Sequence, residues 1–410
     1  MDSFEIANLF YSIGQMWTEW LTNLGLSPEL LSFTNKAMGA VLLTALPIMI
    51  VCVTIMAERK IIGRFQDRLG PNRVGPFGFL QTIPDIMKLL TKEIITPAKV
   101  DKIMYNLAPM VSVVSVILIW AVIPLASNVV GADLEIGAMY FVAVSSFGTL
   151  AVLMAGWSSN NKYALISAFR GVAQLVSFEV PLVLTLLVPV LLAGTMRMNG
   201  IVEAQAQGWY VLLAPLSMMI FFISSTAEIG RSPFDLLEAD SEIVAGFNIE
   251  YSGMRFAMFF LGEFIHAFTF CGVIATLFFG GWRGPFVDQA PALGFLYFFA
   301  KMFAIYFVHI WIRITMPRLR IDHLLNFSWK FLIPLSLVNL VVMSLAAKLV
   351  QTPGTDATLW QLLPRWGILF GVNMVMIAGT FMILGSVSRR ERHQQEAARV
   401  LEPAASGFQG

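Results

Sequence analysis

Nine stretches of mostly apolar residues dominate this chain, at approximately 37–57, 103–126, 139–157, 171–192, 210–229, 254–279, 293–314, 331–349 and 367–387. Each approaches the roughly 20 residues that carry an α-helix across a bilayer. The hydrocarbon core has no water to pair with backbone N–H and C=O groups, so each run reads as a helix that satisfies its own backbone. Composition agrees: 57% of residues are hydrophobic and 13% charged, where a soluble domain carries about a quarter charged. The fold class is an all-α polytopic integral membrane protein. The fourth stretch is interrupted by Glu179, Pro181 and Pro189, which a membrane helix tolerates when neighbours satisfy the freed carbonyls.

Nine spans place the termini on opposite sides. One set of loops carries Arg59, Lys60, Arg64, Arg68, Arg73, Lys88, Lys92, Lys99, Lys102, Lys162, Arg170, Arg231, Arg255, Arg313, Arg318, Arg320 and Lys330, and the tail adds Arg389, Arg390, Arg392 and Arg399. The opposite side holds Lys36, Arg197, Arg283, Lys348 and Arg365. Positive charge collects on the cytoplasmic side, which puts the N-terminus outside and the C-terminus in the cytoplasm. Asp2 and Glu5 stand where a signal peptide has its basic start, so the first residues are expected to be an amphipathic extension, 1–36. A membrane domain follows at 37–349, then a loop and ninth helix at 350–388 and a cytoplasmic tail at 389–410. Matching broken helices in two halves, the mark of an inverted-repeat transporter, are not evident. Net charge near zero gives no nucleic-acid signal. The two cysteines, Cys52 and Cys271, cannot supply the four thiolates of an iron–sulfur cluster. Any electron transfer therefore uses centres on other chains.

Carboxylates gather where the fifth apolar stretch ends. Glu228, Asp235, Glu238, Asp240, Glu242 and Glu250 follow one another, with Arg231 as the nearby cation. A carboxylate at membrane depth costs on the order of 2.5–3.5 kcal/mol on insertion scales. The cluster reads as a protonatable relay at a membrane boundary; the plainer alternative, strongest for Asp240 and Glu242, is a solvated acidic loop. Within the spans stand Glu179, with Arg170 and Gln174 upstream, then Glu263 and His266 on one helix face, and Lys301 and His309. These are proton carriers or, alternatively, groups that hydrogen-bond helix to helix.

The segment 58–102 is the richest loop. After Glu58-Arg59-Lys60 and the turn Gly70-Pro71-Asn72-Arg73-Val74-Gly75-Pro76, Gln81, Asp85, Lys88 and Lys92 recur at helical spacing. Phe77, Leu80, Pro84, Met87 and Leu90 follow the other side. Such a helix lies in the membrane interface, either as a surface anchor or as the wall of a passage for a long apolar molecule. A further basic loop holds Arg313, Arg318 and Arg320 with Asp322 among the cations, which suits partner docking or, more simply, the positive-inside bias.

These residues resemble one family. Glu58-Arg59-Lys60 through Gly70-Pro71-Asn72 to Gln81, Asp85 and Lys92-Glu93 is similar to the first cytoplasmic loop of the H subunit of bacterial respiratory complex I, the counterpart of mitochondrial NADH dehydrogenase subunit 1. Gly156 to Tyr163, Ser177-Phe178-Glu179, Ala227-Glu228 through Asp235, Glu238, Glu242, Glu250-Tyr251 and Pro317-Arg318-Leu319-Arg320-Ile321-Asp322 follow in the same order. The likeness covers roughly 36–349, whereas the N-terminal extension and ninth span lie at its edge. It implies a membrane subunit of a proton-translocating NADH:quinone oxidoreductase in a bacterial inner membrane. Quinone is then a bound substrate, contacted by Arg59, Arg68, Gln81, Asp85, Met87, Lys88, Arg231 and Phe234. Glu179, Glu228, Asp235, Glu238, Glu242, Glu250 and Glu263 become a proton relay, and Arg313, Arg318, Arg320 and Asp322 a docking surface for other complex I subunits. No electron-transfer residue, metal or flavin is expected on this chain; iron–sulfur clusters and FMN sit on partner subunits. Membrane lipid is the remaining partner, and nucleic acid is none. Rival readings are the equivalent subunit of a membrane-bound hydrogenase or other quinone oxidoreductase, and a free-standing ion transporter.

Overall fold

Eight helices long and apolar enough to span a membrane occur among the described residues. The computed structural model describes residues 16–19, 22–23, 27–127, 129–237, 246–287, 290–350, 363–382 and 385–386. Most of the expected N-terminal extension, the whole tail 389–410, and Glu238, Asp240 and Glu242 lie outside these.

Helix α1 (Pro28–Phe65) opens with Ser27 accepting the Leu30 amide at 3.4 Å and with Pro28 in its first turn, where a missing N–H costs nothing. It overruns the expected first span at both ends. At about 1.5 Å per residue its 38 residues exceed a ~30 Å hydrocarbon core. The charged run from Glu58 to Arg64 therefore continues the helix and is not loop, as the sequence had implied. Charge ends the hydropathy signal there without ending the backbone pattern.

The chain then turns sharply. Gly78 has φ +74°, and a Cβ there would sit 2.2 Å from the Pro71 carbonyl oxygen, so only glycine fits. A 3-10 turn at Pro76–Gln81 leads into the short helix α2 (Thr82–Thr91). Thr82 ties it to α1 by donating its hydroxyl to the Cys52 carbonyl at 3.2 Å.

The bundle follows with α3 (Lys102–Trp120), α4 (Gly137–Ser158) and α5 (Lys162–Ala193). Helix α5 passes through Pro181 without breaking. Pro181 has no N–H for the Ser177 carbonyl, and the hydroxyl of Ser328 donates to that carbonyl instead, at 2.6 Å. Ser328 begins a π turn, Ser328–Leu332, inside the last long core helix, α9 (Ile321–Leu349).

The fifth expected span is broken. Four helical residues, Tyr210–Leu213, precede Ala214, whose φ −136° and ψ 59° leave the helix, and α6 (Pro215–Ile229) resumes for 15 residues. Pro215 both lacks a donor and pushes its predecessor out of the helical region. The bundle centre is α7 (Gly253–Phe278), which packs on α1, α3, α6 and α8 (Ala292–Thr315). Its C-terminal end is closed by Lys301 of α8, whose ammonium donates to the carbonyls of Phe279, Gly281 and Arg283 at 2.6–2.8 Å. That gives the intramembrane lysine a capping role. Helix α10 (Leu363–Met382) packs outside; its Asn373 donates to the Leu213 carbonyl beside the break, at 3.0 Å.

Candidate functional site

Arg231 follows the left-handed Gly230 that ends α6, and its guanidinium is buried at 8% exposure. Nη1 donates to both carboxylate oxygens of Glu58 at 2.7 Å. Nε lies 3.1 Å from Oε1 of Glu263, near enough for ion pairing though not aligned for a hydrogen bond. The group also sits over the Phe264 ring, 4.3 Å from its centre. Burial opposes the charge of Arg231, but Glu263 and Glu58 outweigh it and hold its protonation above the usual arginine value. Glu58 takes two further donors, the Tyr306 hydroxyl at 2.7 Å and Arg313. Five side chains from α1, the post-α6 turn, α7 and α8 thus form one ionic cluster, with Glu58 and Arg231 buried at its centre.

The same turn borders a cavity of about 80 Å³ lined by helices α3–α7. Glu228, Glu263 and His266 project into its wall, beside Ser112, Thr149 and Gly262. One oxygen of Glu228, Oε2, has no hydrogen-bond partner among the described residues. Gln174 fixes the backbone here by donating to the carbonyls of Ala227 and Phe234, both at 2.7 Å. Glu179 stands one helix away on α5 and accepts the hydroxyl of Ser146. Glu228 and Glu263, which differ in their pairing, thus face a common space large enough for water.

The other expected relay acids among the described residues are not part of its lining. Asp235 pairs with Arg318 at 2.7 Å, so a cation expected to dock a partner is engaged within the chain. Arg313 likewise serves the Glu58 cluster. Arg320 and Asp322 are exposed at the start of α9. Glu250 accepts from the Asn161 amide at 2.6 Å, and its backbone carbonyl accepts the Tyr105 hydroxyl at the same distance.

The residues expected to meet an apolar substrate divide into two groups. Arg59 pairs with Asp85, and Gln81 lies 3.4 Å from the other oxygen of that carboxylate. This ties the polar stripe of α2 to α1. Ile83, Met87 and Leu90 are exposed on α2, as is Lys88. Arg68 donates to Gln66 at 2.8 Å in the exposed turn. Phe234, by contrast, is buried against Phe178, with ring centres 5.3 Å apart.

Sequence reasoning passed over Glu58 and Tyr306 as site residues. For Glu58 a signal existed: it continues the helix of an apolar run, as Glu228 does. For Tyr306 nothing in the sequence distinguishes the side chain from other membrane tyrosines.

A family model described as NADH dehydrogenase matches residues 38–344. Proteins named as the H subunit of NADH-quinone oxidoreductase are similar over most of the chain. The one from Dehalococcoides mccartyi (strain CBDB1) is 45% identical over 343 residues, covering 84% of this chain and 92% of its own. Those of Brevibacillus brevis and Bacteroides fragilis (strain ATCC 25285) are 46% and 42% identical, covering 74% and 80% of this chain and 90% and 96% of their own.

Proposed function

This chain belongs to the NADH dehydrogenase family, and from that premise we propose that it forms the membrane part of the quinone chamber in a proton-translocating NADH:quinone oxidoreductase. Its relatives carry the name of the H subunit of an NADH-quinone oxidoreductase. Electrons reach the quinone from centres on partner subunits, and the basic loops face the cytoplasm, where those partners dock. The exposed apolar side of α2, with Met87 and Leu90, guides the quinone tail, and the Arg59–Asp85 pair holds that helix against α1.

The observation that carries the coupling role is a carboxyl oxygen of Glu228 with no hydrogen-bond partner among the described residues, in a cavity shared with Glu263. Glu263 is in turn 3.1 Å from Arg231. A proton gained at one acid changes the field felt by the next. Desolvated neighbouring charges couple strongly, and quinone reduction consumes protons. Glu228 and Glu263, with Glu179, Asp235 and Glu250, therefore relay the change in charge from the quinone toward the membrane arm. Glu238 and Glu242 belong to the same proposed path.

Replacing Glu228 by Gln keeps shape and removes the proton site. The expected outcome in the assembled complex is normal subunit content with quinone reductase activity and proton translocation lowered on the order of a hundredfold. Near-normal translocation in Glu228→Gln overturns the relay.

A further inference from the structure

A second, smaller cavity is lined in part by Arg231. Its volume is about 10 Å³, and its polar lining is Arg231, Tyr306, His309 and Arg313. Three buried polar atoms on these residues have no hydrogen-bond partner among the described residues: Nε and Nη2 of Arg231 and Nε2 of His309. Of these, Nε of Arg231 is the atom that faces Glu263. His309 is 9% exposed and stacks on Phe222, with ring centres 4.3 Å apart.

The roles of the imidazole nitrogens follow from its neighbour. Nδ1 lies 3.4 Å from the Thr226 hydroxyl oxygen, and that hydroxyl spends its proton on the Phe222 carbonyl at 2.7 Å. Nδ1 therefore carries the ring proton and donates to Thr226. In the neutral ring Nε2 is left as an acceptor. Arg231 offers spare N–H groups to the same cavity. A donor and an acceptor, both buried, thus face one small space that Ile229, Ala267 and Ile310 help to enclose.

We infer that this cavity is a binding site for a single ordered water, which accepts from Arg231 and donates to Nε2 of His309. The volume suits one water, which needs about 10–15 Å³, and is too small for a hydrated ion. Two guanidinium groups in the lining argue against a cation. The water makes His309 a positioning residue: through it, α8 fixes the side of Arg231 that Glu58 and Glu263 leave free. The inference deepens the proton-path reading and rests on it for its functional consequence alone.

High-resolution electron microscopy of the assembled complex tests the site directly. The expected result is a water peak between Nε2 of His309 and the Arg231 guanidinium, lost in His309→Phe, where the phenyl ring keeps the stacking on Phe222. Leaving a charged donor unsatisfied costs enough to lower proton translocation by about tenfold. His309→Gln, which restores an acceptor, should recover most of that loss, as a purely packing role would not. Absence of the peak, or a direct contact between the two side chains, overturns the inference and leaves the Glu228 relay standing. A peak accompanied by unchanged translocation in His309→Phe overturns the positioning role. Failure of the relay test alone leaves the water site in place.

Discussion

Replacing Arg231 by Leu tests what holds the centre of the bundle together. The side chain is 8% exposed, donates twice to Glu58 at 2.7 Å, approaches Glu263 to 3.1 Å and covers the Phe264 ring. Removing one member of a buried ion pair costs about 3–5 kcal/mol, because the remaining charge stays buried and uncompensated. Two features place this case at the low end. Glu58 keeps the Tyr306 hydroxyl and Arg313 as donors. The side chain of Glu263 is 23% exposed and borders the cavity, so water reaches it. The expected loss is about 3 kcal/mol. The assay is unfolding of the purified subunit in mixed micelles with increasing denaturing detergent. Adding Glu58→Gln and Glu263→Gln to the Arg231→Leu variant should recover at least about half of the loss, since the penalty lies in the orphaned charges. If the single variant unfolds like the parent, or if neutralising both acids recovers nothing, buried charge pairing is not what stabilises this region.

Met87→Trp on the exposed side of α2 should raise the apparent Michaelis constant for long-tailed quinones more than for short ones. Electron transfer from NADH to a water-soluble acceptor should stay normal, and equal effects on both tail lengths would remove α2 from the quinone passage. Arg318→Glu opposes Asp235 with a like charge; the exposed pair itself is worth only about 0–1 kcal/mol, so the subunit should stay folded. Less peripheral arm should be recovered with it on purification, and full recovery would mean that this loop does not dock a partner. Lys301→Met removes three donors from the end of α7 and should destabilise the subunit by about 1.5–3 kcal/mol, read by the same detergent titration; unchanged stability would show that water replaces the ammonium.

The all-α membrane fold was legible because apolar runs of bilayer length leave the backbone little choice. Pairings across long sequence separations were not. Glu58 sits 173 residues from Arg231, and Asp235 sits 83 from Arg318; no local pattern connects either pair. The basic character of the loop suggested docking for Arg313 and Arg318, but their pairing with carboxylates inside the chain could not be read from it. The interruption of the fifth span was written in Pro215, yet hydropathy averages over a proline and reported one continuous segment. Glu228 and Glu263 were readable individually as acids among apolar neighbours. That they share a cavity with His266 depends on how α6 and α7 pack.

The break at Ala214 also bears on biosynthesis. The Leu213 carbonyl beside it receives the Asn373 amide, 160 residues later in the chain. During translation the fifth segment enters the bilayer before its partner has been made. Until α10 is inserted, that carbonyl must be held by the insertion machinery, by water or by a neighbouring segment. Helix α10 therefore acts as a closing clasp on an intermediate, and the order of synthesis makes this a late polar contact.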